Sequence, residues 1–301
     1  DQLINGSLHC NYVELEGVVA AIDGDTITLL TRGGRINVRL SSIGPGKPEN
    51  VLGATVRLRG CLFAERDEPS RRVVVGSIYL DHHWVAIIHP APTDSFFIPL
   101  KRVSDLLYFD PEASALQRVK VSGQLIYRDK NVCCLMDGDN GLRFLPMEKV
   151  TARVGDQVEV VGFPDLSGPS PLLRDAVLRA HGRSDLPPPR KLTADDLLRE
   201  EYDATLVQIY GTLLSIKDAP EGYVLDIQSG VRRFTATVKG REDLDDGITA
   251  GSRLELTGVY MGQGGNRVLG RPIDSFRLLL NSGSDIRVLS YAPWWTYTRM
   301  L

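Results

Sequence analysis

The sequence predicts an all-β protein of three small five-stranded barrels in tandem. Three observations predict this fold class: a strand pattern that occurs three times, a period-two alternation of apolar and polar residues within it, and glycines at fixed places in the strands. The chain has 301 residues, of which 29 are Gly and 17 are Pro, a content typical of short strands and many turns.

Each copy opens with an alternating strand that has a glycine near its centre, at 12–19, 118–125 and 206–213. A later alternating strand, at 54–60, 156–162 and 252–258, ends in a second glycine. A glycine inside a strand costs stability, so one that recurs normally marks a bulge or sharp bend. We therefore expect structural roles for six strand glycines: Gly17, Gly60, Gly123, Gly162, Gly211 and Gly258.

These bends favour an OB-like barrel, whose first strand coils through both halves of the structure. Turns such as Asp23-Gly24-Asp25 and Ser229-Gly230 predict a hairpin between the two glycine strands. A fifth strand follows at 72–80, 172–179 and 273–280. Other five- or six-stranded barrels fit this pattern almost as well.

The modules are joined by Pro-rich linkers, each with a short helix that Ser104 or Thr193 would cap. The predicted boundaries are module 1 at 1–93, a linker at 94–113, module 2 at 114–182, a second linker at 183–203, module 3 at 204–290 and an aromatic juxtamembrane tail at 291–301.

The charge of the chain argues against nucleic acid as a partner. Lys and Arg number 35 and Asp and Glu 38, which gives a net charge of −3. A nucleic-acid binder usually has a basic excess, because neutralised phosphates supply most of its affinity.

The sequence predicts no enzyme activity. It contains no nucleophile, base and orienter set, no phosphate-binding loop and no metal-ligand spacing among its four cysteines. His82 and His83 are adjacent in a strand and would point to opposite faces, which makes a poor chelate. We therefore expect no catalytic residue, no metal and no cofactor.

Two pairs of features leave alternatives open. Cys10 lies just before the first strand and Cys61 just after Gly60, so a disulfide between them is geometrically allowed if these strands pair antiparallel. Stacking platforms for single-stranded nucleic acid need aromatic side chains beside positive charge. Tyr127-Arg128 and Arg232-Arg233-Phe234 come nearest, but surface arginines beside core aromatics explain them better.

The tail places Trp294, Trp295 and Tyr297 within four residues. Trp and Tyr concentrate at bilayer interfaces, so these residues are predicted to be membrane-proximal, although a terminal strand packed on the third barrel is the alternative. With the Val-x-Val-x-Gly strands, Pro-x-Pro connectors and Leu-Leu helices, the Pro293-Trp294-Trp295 segment resembles the extracytoplasmic sensor regions of bacterial membrane-bound sensor histidine kinases. The resemblance covers about residues 11–301.

The resemblance implies a periplasmic OB-like repeat region of a two-component signalling protein, which is membrane-anchored in the full-length protein and relays binding to a following transmembrane helix. The expected partner is an unknown small molecule or periplasmic partner, and a homodimer is allowed. Loop tips at 44–50, 65–71, 167–171 and 262–266 are the expected contact regions. Two alternatives stay open: a tandem OB-fold oligonucleotide-binding protein, and a structural spacer or assembly module.

Overall fold

The computed structural model describes residues 8–31, 34–40, 51–66, 73–91, 94–107, 117–240, 244–245, 247–267 and 269–292. These residues form 17 strands and three short 3₁₀ turns. The predicted all-β fold is confirmed. No helix in the described ranges is long and apolar enough to cross a membrane. Trp294, Trp295 and Tyr297 lie outside the described residues.

Barrel 1 is closed in the strand order β1-β2-β3-β5-β4. Its strands are β1 (Asn11–Asp23), β2 (Thr26–Thr31), β3 (Gly34–Leu40), β4 (Thr55–Arg66) and β5 (Val73–His89). Barrel 2 repeats this order with β6 (Val119–Arg128), β7 (Cys133–Asp137), β8 (Asn140–Pro146), β9 (Asp156–Asp165) and β10 (Leu172–Arg183).

Barrel 3 repeats it again and closes through the pairing of β12 with β15. Its strands are β12 (Leu206–Ala219), β13 (Gly222–Ser229), β14 (Arg232–Lys239), β15 (Arg253–Gln263) and β16 (Ser275–Leu280), and β11 (Arg190–Leu192) and β17 (Ile286–Ser290) extend its sheet. The three predicted five-stranded barrels are therefore confirmed.

One backbone contact recurs in all three barrels. A glycine at the start of the fourth strand, with a φ of 81°, 96° or 97°, donates its N–H to a first-strand carbonyl oxygen at 2.8 Å. The pairs are Gly53 with Val19, Gly155 with Leu125 and Gly251 with Leu213. Directly after this contact, the pairing of the first strand with the second strand shifts in register. This shift marks a β-bulge, which bends the first strand.

The first-strand glycines lie where the first two strands approach most closely. A Cβ on Gly17 would overlap the carbonyl oxygen of Leu30, and one on Gly123 would overlap that of Met136. A Cβ on Gly211 would overlap the side chain of Ile227. The other three strand glycines lie between the fourth and fifth strands, where a Cβ would come within 3.0 Å of a carbonyl oxygen: Gly60, Gly162 and Gly258.

The chain folds as two compact units, and barrels 2 and 3 belong to the same unit. Unit 1 comprises Asp1–Pro99 and Asp110–Val119, and contains barrel 1. Unit 2 comprises Leu100–Phe109 and Lys120–Leu301, and contains barrels 2 and 3.

The segment predicted as the second linker is part of the wall and core of barrel 3. Strand β11 pairs parallel with β12, and Leu197 is fully buried in the apolar core of this barrel. Thr193 is followed by turns and not by a helix, and its N–H and Oγ1 both donate to Oδ2 of Asp196. Ser104 starts a 3₁₀ turn, Ser104–Leu107.

Candidate nucleic-acid interface

Barrel 1 carries three aromatic side chains and an arginine side by side on its outer face. Arg39 of β3 lies opposite Tyr79 of β5, and Tyr79 lies opposite Phe63 of β4. Because these strands alternate, Val38, Leu80 and Leu62 fill the barrel while the three intervening side chains face outward. We call His9, Phe63, Tyr79 and Arg39 the aromatic row.

The members of the aromatic row contact one another in sequence across the sheet. The guanidinium carbon of Arg39 lies 5.3 Å from the centre of the Tyr79 ring. The Tyr79 and Phe63 ring centres are 6.1 Å apart, and the His9 ring meets Phe63 edge-on at 5.6 Å. Nδ1 of His9 accepts the N–H of Ala64 at 3.2 Å, which holds the imidazole over the end of β4.

The neighbouring part of this face is polar. Arg35 and Asn37 project outward from β3, and Oγ1 of Thr28 donates to Oδ1 of Asn37 at 3.1 Å. Asn37 lies opposite Ser77 of β5. Amide and hydroxyl groups therefore flank the aromatic row on the side of the β2–β3 hairpin.

A second aromatic–arginine pair on barrel 1 has no excess positive charge. The Arg59 guanidinium lies 5.5 Å from the ring centre of Trp84, which is 46% exposed. Nε of Arg59 also binds Glu14 at 2.6 Å, and Arg57 binds Glu16 at 3.1 Å. Carboxylates of the same face thus balance these arginines.

Barrel 3 has a counterpart of the aromatic row with a different chemistry. Cys10 and Ala204 mark the equivalence, because both have positive φ, 64° and 58°, just before the first strand. Each donates its N–H to a carbonyl oxygen two residues after Gly60 or its equivalent Gly258. The acceptors are Leu62 at 2.7 Å and Tyr260 at 2.8 Å. The counterparts in barrel 3 of His9, Phe63, Tyr79 and Arg39 are therefore Asp203, Met261, Arg277 and Thr235, and none of them is aromatic.

Met261, the counterpart of Phe63, helps to bind barrel 3 to barrel 2. It lies in one buried cluster that both barrels share: Ile126, Tyr127, Cys134, Ala204, Leu206, Val259, Met261 and Leu279. In barrel 1 the position of Met261 holds the half-buried ring of Phe63, which lies beside Tyr79. Flat rings next to a guanidinium can stack on a planar ligand and bind an anion, whereas aliphatic side chains can only be buried.

A buried ion pair completes the contact between barrels 2 and 3. Nη2 of Arg143 donates to Oδ1 of Asp203, whose side chain is fully buried, and to the carbonyl oxygen of Gly262 at 2.9 Å. The N–H of Gly262 donates to the same Oδ1 at 2.6 Å. Gly141 makes room for this approach, because a Cβ there would overlap the backbone of Ala204. Barrel 3 therefore covers the β7–β8 face of barrel 2.

Two of the four predicted loop tips contact each other within unit 2. Nδ2 of Asn266 donates to the carbonyl oxygen of Ser167 at 3.1 Å. Next to it, the N–H of Arg267 donates to the carbonyl oxygen of Gly168 at 3.2 Å. These tips help to join barrels 2 and 3. The tip at 44–50, and residues 67–71 of the tip at 65–71, lie outside the described residues.

The aromatic residues that came nearest to a stacking motif in the sequence are buried. Tyr127 is 2% exposed and Phe234 5%, and burial raises the pKa of Tyr127 well above its usual value. The aromatic row was missed because its members come from four separate segments of the chain. The one signal for it was the outward position of Phe63 and Tyr79 in the strand alternation.

The remaining candidates carry no assembled chemistry. Cys10 and Cys61 are both free thiols, and Cys61 lies opposite Tyr12 in the β1–β4 ladder. The disulfide between them stays a prediction. His83 is buried inside barrel 1. The described part of the chain contains no group of three or more His, Cys, Asp or Glu side chains that could hold a metal ion.

No family model matches this chain, and no curated protein does. Among solved structures, a murine DNA-binding protein bound to double-stranded DNA is similar over 59% of this chain and 98% of its own, with 10% identity and a TM-score of 0.30. The Ifi202 HINa domain in complex with 20-bp double-stranded DNA is similar over 59% of this chain and all of its own, with 11% identity and a TM-score of 0.27. The aspartyl-tRNA synthetase of Entamoeba histolytica is similar over 36% of this chain and 23% of its own, with 16% identity and a TM-score of 0.28. At these identities the likeness concerns the fold alone.

The prediction that argued against nucleic acid as a partner is wrong. Similar structures hold double-stranded DNA, and the prediction used only the net charge of the whole chain. Arg35 and Arg39 are both exposed on the outer face of β3. A net charge near zero therefore does not describe the surface that a ligand meets.

Proposed function

We propose that this chain is a non-enzymatic, OB-type binding protein for single-stranded nucleic acid, and that the aromatic row of barrel 1 is its binding surface. The observation that carries the proposal is the contact series from Arg39 through Tyr79 to Phe63 on an exposed sheet face. Bases stack on such rings whatever their identity, because every base has a π-face, and arginine neutralises the adjacent phosphate.

A single strand fits this surface better than a duplex does. Bases in a duplex are stacked on one another, so their faces are not available to Tyr79 and Phe63. A single strand can turn its bases onto the two rings and leave its phosphates beside Arg39 and Arg35.

Binding of a fluorescein-labelled oligonucleotide of about 16 nucleotides, the upper site size of one OB fold, tests the proposal by anisotropy. Each of Phe63→Ala and Tyr79→Ala should weaken binding about 5- to 150-fold, since one stacked base contributes about 1–3 kcal/mol. Arg39→Ala should lower the salt slope of log K by about 0.7, the value for one phosphate of a single strand.

Tyr210→Ala is the matched control. Tyr210 is 41% exposed on barrel 3, outside the aromatic row, so its loss should leave affinity unchanged. The proposal fails if the wild-type chain does not bind, if Tyr210→Ala weakens binding as much as Phe63→Ala, or if duplex DNA binds more tightly than the single strand. Circular dichroism of each variant establishes that it is folded.

As a second proposal, the chain is an extracytoplasmic sensory region that binds a small molecule. The Pro293-Trp294-Trp295 segment favours this proposal. It expects a small molecule to raise the melting temperature of the folded chain in a screen of sugars, amino acids and organic acids. A chain stabilised by oligonucleotide and by none of these compounds would contradict it.

A further inference from the structure

The outer face formed by the second and third strands differs between the barrels at one equivalent position. The first-strand glycines lie against the carbonyl groups of Leu30, Met136 and Gln228, which makes these three residues equivalent. Their partners on the third strand are Arg35 in barrel 1, Gly141 in barrel 2 and Arg233 in barrel 3. Barrels 1 and 3 thus have arginine where barrel 2 has the glycine that admits Ala204.

In barrel 3 a second arginine shares this face. Arg277 of β16 lies opposite Thr235 of β14, two residues from Arg233, so the two guanidinium groups project from adjacent strands on one side of the sheet. Both side chains are exposed, and neither has an ion-pair or hydrogen-bond partner among the described residues. We call Arg233, Arg277, Thr235 and Gln228 the arginine face.

Among the described residues of β13, β14 and β16, the one carboxylate on this outer face is already neutralised. Asp226, which lies opposite Thr235, accepts the ammonium group of Lys217 at 2.8 Å and the hydroxyl group of Ser215 at 2.6 Å. The positive charge of Arg233 and Arg277 is therefore available to an external anion. Thr235 and Gln228 add hydroxyl and amide donors beside it.

We propose that the arginine face of barrel 3 is a second nucleic-acid contact that binds the phosphate backbone and reads no bases. This inference rests on the function proposed for barrel 1. The face holds arginine and no outward aromatic ring, so it supplies phosphate neutralisation without stacking. The equivalent face of barrel 2 is covered by barrel 3, so we expect it to make no contact with nucleic acid.

The test measures oligonucleotide affinity against salt for the full chain with Arg233→Gln and Arg277→Gln combined. The salt slope of log K should fall by about 1.4, because two single-strand phosphates at about 0.7 each are lost. Affinity should fall at low salt and converge with that of the wild-type chain at high salt. Phe63→Ala should instead weaken binding by a similar factor at every salt concentration.

Arg287→Gln is the matched control, because this exposed arginine of barrel 3 is already paired with Glu255 at 2.8 Å. A salt slope that changes no more than in this control overturns the inference while the function of barrel 1 stands. Phe63→Ala should retain some binding. Loss of that residual binding when Arg233→Gln and Arg277→Gln are combined with Phe63→Ala supports the inference independently. A wild-type chain that binds no oligonucleotide overturns both proposals.

Discussion

Removing the guanidinium group of Arg143 should destabilise unit 2 much more than removing an exposed arginine. Asp203 is fully buried and its Oδ1 accepts from Arg143 and from the N–H of Gly262. In Arg143→Ala the carboxylate keeps only the Gly262 donor. Breaking a buried ion pair by removal of one partner costs about 3–5 kcal/mol, because the other charge stays buried without compensation.

This free energy converts into a melting temperature that calorimetry can measure. For a unit of this size 1 kcal/mol corresponds to a shift of about 2–4 °C, so the transition of unit 2 should fall by about 6–20 °C. The transition of unit 1 should not move, because the ion pair lies within unit 2.

Arg174→Ala is the control for this experiment. Arg174 binds Asp165 at 2.7 Å, but the two side chains are 40% and 22% exposed. An exposed pair of this kind contributes about 0–1 kcal/mol. If Arg143→Ala shifts the transition no more than Arg174→Ala does, then the buried pair does not hold barrels 2 and 3 together, and the reasoning is refuted.

Two further predictions concern stability. Burial holds the pKa of Lys239 below its usual 10.5. Between that lowered pKa and pH 10.5 the folded state binds fewer protons than the unfolded state, so the free energy of unfolding rises with pH. Urea unfolding of Lys239→Met should lack this rise, and the same pH dependence in the variant and the wild-type chain contradicts the prediction. Gly123→Ala should cost about 3 kcal/mol through overpacking, whereas Gly182→Ala, whose Cβ would have its nearest neighbour at 3.9 Å, should cost almost nothing; equal costs contradict it.

The sequence predicts the barrels because each local signal and the fold agree. Alternating strands show which side chains enter the core, and the recurrent glycines show where strands approach too closely for a Cβ. Both signals are local, so one sequence suffices. The bulges, the left-handed Gly53, Gly155 and Gly251, and the common strand order follow from the same pattern.

The site could not be predicted in the same way, because register between distant strands decides it. His9, Arg39, Phe63 and Tyr79 become neighbours only when β3, β5 and β4 pair in one register. Tyr127 stands next to an arginine in the sequence, yet it lies in the cluster between barrels 2 and 3. The docking of one barrel on another was hidden for the same reason.

The shared apolar cluster of unit 2 determines where the chain can be divided. A fragment that ends between barrels 2 and 3 would present Leu206, Val259, Met261 and Leu279, or their counterparts on barrel 2, to water as one contiguous patch. Such patches promote self-association, so truncated versions that keep only one of these barrels should precipitate or form aggregates. Expression boundaries for single-module studies therefore belong at the junction of units 1 and 2, and the last two barrels should be produced together.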